Sequence, residues 1–233
     1  MAKPVCTIVG VGPGNGAASA RRFAAEGYAV ALLARSADYS AELAGELDGA
    51  RSYTCDVTDP QAIKDAFAAI REQLGEVEVL VYNAGSGVFG SIDDVTPADF
   101  EDAWRINTLG ALLVSEEVLP AMKKAQRGNI VLIGATASLR GGANFAAFAS
   151  AKAAQRSLGQ SMARHLGKQG IHVSLVIVDG VIDIPRTREF LPDRPDSQFL
   201  KADDIADTTF RLTQQKPSAW TFEVDLRPAA EQW

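Results

Sequence analysis

The chain is poor in the residues that staple a fold or hold a metal. Its 233 residues include only two cysteines and two histidines. Cys6 and Cys55 fall in or at the end of β-like runs, where buried, inert thiols are expected rather than a disulfide. His165 and His172 flank a turn without partner ligands, and nothing has zinc-ligand spacing, so no metal site is expected. Basic side chains number 23 against 29 acidic ones, a net charge of −6, which argues against nucleic acid as a partner. Apolar runs such as Ala29–Ala34 fall far short of the roughly 18 residues a membrane span requires. No signal-like stretch precedes the first strand-like run near Pro4, so a cytoplasmic protein is expected. What remains is 47% hydrophobic and 22% charged. That is globular usage, in a chain long enough to bury a core unaided.

Two periods alternate along that chain. Apolar runs rich in β-branched residues occupy 5–9, 28–33, 52–55, 77–82, 129–133, 171–178 and 220–226. Helical patterns lie between most of them. Asp59-Pro60 and Thr96-Pro97 are N-cap and first-turn pairs, and Asp99 completes an approximate capping box with Thr96. The helix opened at Thr96 is expected to reach Lys124, with Pro120 as its kink or break. Continuous apolar strands separated by helices predict a single α/β domain over 1–233, a doubly wound, Rossmann-type parallel sheet of about seven strands. The stretch 181–200, with three prolines, reads as an irregular lid or substrate loop over the ligand crevice.

The first strand runs into Gly10-Val11-Gly12-Pro13-Gly14-Asn15-Gly16 and then a helix. Small residues there let backbone approach a pyrophosphate, and the helix N-terminus offers free N–H groups. The spacing is G-x-x-x-G-x-G, from Gly10, Gly14 and Gly16, and Asn15 stands where a GxGxxG pattern would need glycine. The second strand ends in Arg35-Ser36, with no acid before Asp38. An acid would select the free ribose of NAD, whereas Arg35 and Ser36 suit a 2′-phosphate. NADP(H) is therefore expected over NAD(H).

With the glycine loop, three further motifs make the chain resemble the short-chain dehydrogenases/reductases over nearly its whole length. They are Cys55-Asp56-Val57, Asn83-Ala84-Gly85, and Asn107 followed by Gly110. The resemblance implies that Asp56 and Val57 meet the adenine ring and that Asn83, Ala84 and Gly85 support the sheet beside the cofactor. It also places Lys152 on the nicotinamide ribose and brings Gly180 and Val181 to the nicotinamide end. A homodimer or homotetramer is implied as well.

The family's active site is an asparagine, a serine, a tyrosine and a lysine. Here Asn107 and Lys152 match, while Phe148 stands in the tyrosine position and Ala135 in the serine position. Loss of a positioned general acid typically costs about 10²–10⁴ in rate, so the ordinary mechanism is not expected. Thr136 is the replacement hydroxyl nearest the missing serine, with Ser138 close by. Asp179, Asp183 and Lys152 are the alternative proton donors. Two readings stand. One is an oxidoreductase acting on an unidentified carbonyl or alcohol with a rearranged proton relay. The other is a dinucleotide-binding protein without catalysis, serving as sensor or interaction subunit.

Overall fold

A computed structural model describes residues 2–230, and Trp233 lies outside the described residues. Seven parallel strands form one sheet: β1 (Val5–Val9), β2 (Ala29–Ala34), β3 (Arg51–Thr54), β4 (Val77–Tyr82), β5 (Gly128–Ala135), β6 (Ile171–Val178) and a last strand, Glu223–Leu226. Their order across the sheet is β3-β2-β1-β4-β5-β6 and then the last strand. Helices α1 (Asn15–Ala25), α2 (Ala37–Glu46), α3 (Pro60–Gln73), α4 (Pro97–Trp104), α5 (Gly110–Ala125) and α6 (Ala146–Leu166) follow the strands in turn. Separate apolar cores lie on the two faces of the sheet, one including Tyr82, Phe67 and Leu132, the other Phe23, Leu32 and Val176. All five residues of β1 and all eight of β6 are buried, as strands covered on both faces must be.

The strand order reverses between β1 and β4. In such sheets the ligand crevice opens outside the carboxyl ends at that point, where the glycine loop and Asn83-Ala84-Gly85 emerge.

The caps form as the sequence predicts. The Asp59 carboxylate accepts from the backbone N–H groups of Gln61 and Ala62, and Thr96 and Asp99 cap each other reciprocally. The long helix does not break at Pro120, which is carried inside α5. It widens instead into a π-turn over Arg105–Leu109. Side chains reward that widening: the Tyr82 hydroxyl donates to the Ile106 carbonyl at 2.5 Å, and Asn107 Nδ2 donates to the Ala103 carbonyl at 2.8 Å. Such bulges concentrate at functional positions.

The stretch 181–200 also departs from expectation, because it is folded rather than irregular. It holds β7 (Val181–Ile182) paired in parallel with β8 (Phe199–Leu200), and a short helix α7 (Pro185–Phe190) between them. Helix α8 (Ala202–Thr213) then leads to β9, the last strand already described.

Candidate active site

The glycine loop is shaped by three close approaches. A Cβ on Gly10 would lie 2.5 Å from the backbone of Ala84, and one on Gly16 would lie 2.8 Å from the Gly10 carbonyl. Gly14, at φ +146°, would meet Ile184 at 2.9 Å, whereas Gly12 faces open space. The steric need therefore falls on the residues of the G-x-x-x-G-x-G spacing. Asn83 Nδ2 donates to the Gly10 carbonyl at 2.7 Å, clasping the end of β4 to the loop.

A crevice of about 490 Å³ runs from this loop past Arg35, Asp56, Val57 and Ala84 to Gly85. Arg35 is exposed and makes no hydrogen bond or ion pair among the described residues. Ser36 stands beside it at the N-cap of α2, its hydroxyl donating to Asp38 at 3.2 Å. Asp56 accepts from the Thr58 N–H and hydroxyl, both at 2.8 Å, and the backbone bond above all holds its carboxyl below the usual range. Cys55 lines the same wall, where burial pushes its thiol up to about 11. Arg186 of α7, in the 181–200 segment, lines this crevice too.

These residues fit a dinucleotide. The loop has the bare backbone a pyrophosphate needs, and the helix α1 N-terminus stands behind it.

A second hollow, about 640 Å³, continues from Asn83 and Gly85 to Ala135, Thr136, Phe148, Lys152, Gly180 and Val181. Lys152 is buried, its Nζ donating to the Ile133 carbonyl at 2.8 Å and to Gln155 Oε1 at 3.2 Å. Burial lowers its pKa to about 8. Thr108 in the π-turn donates to the Ala151 carbonyl at 2.8 Å, tying that turn to α6 one residue before the lysine. Asn107 is fully buried with Oδ1 unpartnered, and a Cβ on Gly85 would lie 3.3 Å from that oxygen and 3.8 Å from Lys152 Nζ. The structure thus brings Asn107, Gly85 and Lys152 together.

The replacement hydroxyls are engaged elsewhere. Thr136 lines the hollow but donates its proton to Asp179 at 2.5 Å, and Asp179 is also paired with Arg227 at 3.2 Å. Ser138 is buried and accepts from the Ala135 N–H. Asp183 is overturned as a proton donor: hydrogen bonds from Arg188, and then from Lys201, hold its carboxyl well below the usual range, so it is an anion. Gln155 escaped the sequence reading, although it lies three residues after Lys152 on the same helix face.

Comparison with known proteins agrees with this architecture. The short chain dehydrogenase family model matches residues 4–194. The chain is 35% identical over 181 residues to the 3-oxoacyl-(acyl-carrier-protein) reductase MabA of Mycobacterium avium, spanning 78% of this chain and 68% of that protein. Among solved structures, a short-chain dehydrogenase from Rhodopseudomonas palustris superposes with a TM-score of 0.83 at 31% identity, covering 97% of this chain and 98% of the other. A metagenomic short-chain oxidoreductase in complex with NADP does so with 0.85 at 28% identity, over 99% of each chain. Glycine loop, sheet order and the meeting of Asn107 and Lys152 at Gly85 thus stand in a chain that belongs to the short-chain dehydrogenase family.

Proposed function

We propose that the protein is an NADP(H)-dependent oxidoreductase of a carbonyl/alcohol pair in which Lys152, rather than a phenol, handles the proton. When bound, the reduced nicotinamide supplies the hydride. Gly10, Gly14, Asn15 and Gly16 would hold the pyrophosphate, Arg35 and Ser36 the 2′-phosphate, and Asp56 and Val57 the adenine end. Asn83, Ala84, Gly85, Gly180 and Val181 would flank the nicotinamide half. The NADP complex of the 28%-identical structural neighbour supports this choice of cofactor. The segment 181–200 acts as the lid, since Ile184 touches the glycine loop and Val181, Ile182 and Thr187 line the hollow.

The observation that carries the proposal is the hydrogen bonding of Lys152. An ammonium has three donors, and two are taken by Ile133 and Gln155. The third remains for a substrate oxygen in the hollow that Lys152 lines. As that oxygen becomes an alcohol, its proton comes from Nζ. The neutral amine left behind keeps both protein hydrogen bonds, so the site holds either protonation state and recovers a proton from solvent. A pKa near 8 suits an acid working at neutral pH. Asn107 orients this end of the site, and Thr136 fixes Asp179 behind it.

NADPH oxidation followed by absorbance against a panel of ketones and aldehydes tests this. Saturable turnover that Lys152→Met abolishes is expected. Dinucleotide binding with no turnover, combined with activity in Phe148→Tyr/Ala135→Ser, would instead favour a binding protein without catalysis. The observation behind that second reading is that Phe148 and Ala135 offer no hydroxyl to the hollow and that Thr136 donates its proton to Asp179.

A further inference from the structure

The position of the missing tyrosine belongs to a wall of three rings. Phe89 meets Phe145 and Phe148 edge-on, with centroids 5.4 and 5.6 Å away, and Phe145 and Phe148 stand 6.4 Å apart. All three line the hollow above Lys152. Phe89 is nevertheless 58% exposed and Phe145 41% exposed. Large apolar rings left open around a cavity mark a binding surface.

The wall is built rather than collapsed. Phe145 lies over Gly142, where a Cβ would sit 2.6 Å from the ring, and Phe89 lies over Gly87, where it would sit 3.1 Å away. The two loops carrying them are latched by backbone hydrogen bonds, Gly90 N–H to the Asn144 carbonyl at 2.8 Å and Ala146 N–H to the Gly90 carbonyl at 3.2 Å. Among the described residues, the only charged side chains lining the hollow are Lys152 and the exposed Arg140, and no carboxylate lines it. A polyol or a cationic substrate would find few acceptors here.

Phe148 and Lys152 are four residues apart on one helix, which sets their Cβ atoms about 6 Å apart. An oxygen held at Lys152 therefore places a substituent of its carbonyl carbon against the rings. We infer that the hollow selects ketones and aldehydes that carry an aromatic ring on a substituent of the carbonyl carbon, with Phe148 serving as a ring contact in place of a proton donor. This rests on the oxidoreductase reading for the role of Lys152. Rings gain more from ring partners than their area alone gives, roughly two- to tenfold in affinity per contact.

Ligand-observed NMR on the protein, with and without NADP⁺, measures dissociation constants for 4-phenyl-2-butanone and 2-octanone, whose apolar areas are similar. The phenyl ketone is expected to bind at least fivefold tighter. Phe89→Ala and Phe145→Ala, both at exposed positions, should each reduce that ratio toward one. Equal binding of the two ketones, absence of binding in both forms, or an unchanged ratio in both variants overturns the inference. Turnover is not read in this experiment. A ring-selective hollow without NADPH oxidation would defeat the oxidoreductase reading alone, and oxidation driven equally by both ketones would defeat this inference alone.

Discussion

The two halves of the crevice are made differently. The nucleotide half is backbone: Gly10 against Ala84, Gly16 against the Gly10 carbonyl, and Asn83 clasping the loop. The other half is side chain, with Phe148, Ala135 and Lys152 among its lining. A surface of packed backbone tolerates almost no substitution, because any added atom meets main chain. A surface of side chains can exchange a phenol for a phenyl ring and keep its shape. The nucleotide half is thus constrained by main chain, and the other half by side chains that leave the backbone free.

The contrast can be broken most strongly at Lys152. Lys152→Met should lower turnover by about 10²–10⁴ while NADPH still raises the melting temperature, as steady-state kinetics and thermal shift would read. Breaking the other half calls for Gly10→Ala. A Cβ there meets Ala84 backbone at φ +89°, so a loss of roughly 2–4 kcal/mol in stability is expected together with cofactor binding; chemical denaturation with and without NADPH measures both. Arg35→Ala should weaken NADPH by about 10- to 100-fold, the worth of a charge-assisted hydrogen bond, and leave NADH within about twofold. Equal weakening of both cofactors in calorimetric titrations would remove Arg35 from the 2′-phosphate.

pH sharpens the comparison. With an acid of pKa about 8, carbonyl reduction should be level below pH 7 and fall about tenfold per pH unit well above 8. The stability effect has the opposite sense. The folded lysine releases its proton near 8 and the unfolded one near 10.5, so the unfolded state binds more protons between those values. The Lys152 contribution to stability therefore rises as pH climbs through that window. Replacing the pair outright, with Lys152→Met and Gln155→Leu together, should stabilise the fold at pH 7 by about 1–3 kcal/mol, readable as a higher melting temperature.

Much of this was legible in the sequence, and the reasons differ by element. Strands were visible because burial on both faces writes continuous apolar runs, and the caps at Asp59 and Thr96 because their chemistry is local. The position of the helix break was not. Pro120 is the obvious breaker, yet the irregularity lies at Arg105–Leu109, set by a hydrogen bond from Tyr82, which is 24 residues distant in sequence from its acceptor, Ile106. Likewise 181–200 looked irregular because its strands are two residues long and pair only with each other. That Phe148 stands four residues before Lys152 was readable from the sequence alone. The partners of that lysine, Ile133 and Gln155, were not, and the ring wall required bringing Phe89 to a helix more than fifty residues later.

The latch between Gly90 and the start of α6 has a consequence for motion. Two hydrogen bonds shared by two loops make them one moving body. The Gly90 and Ala146 amides should therefore exchange with solvent deuterium at matched rates, through a single opening event. Were the loops independent, the two rates would separate, and substitutions near Gly142 would alter only one of them.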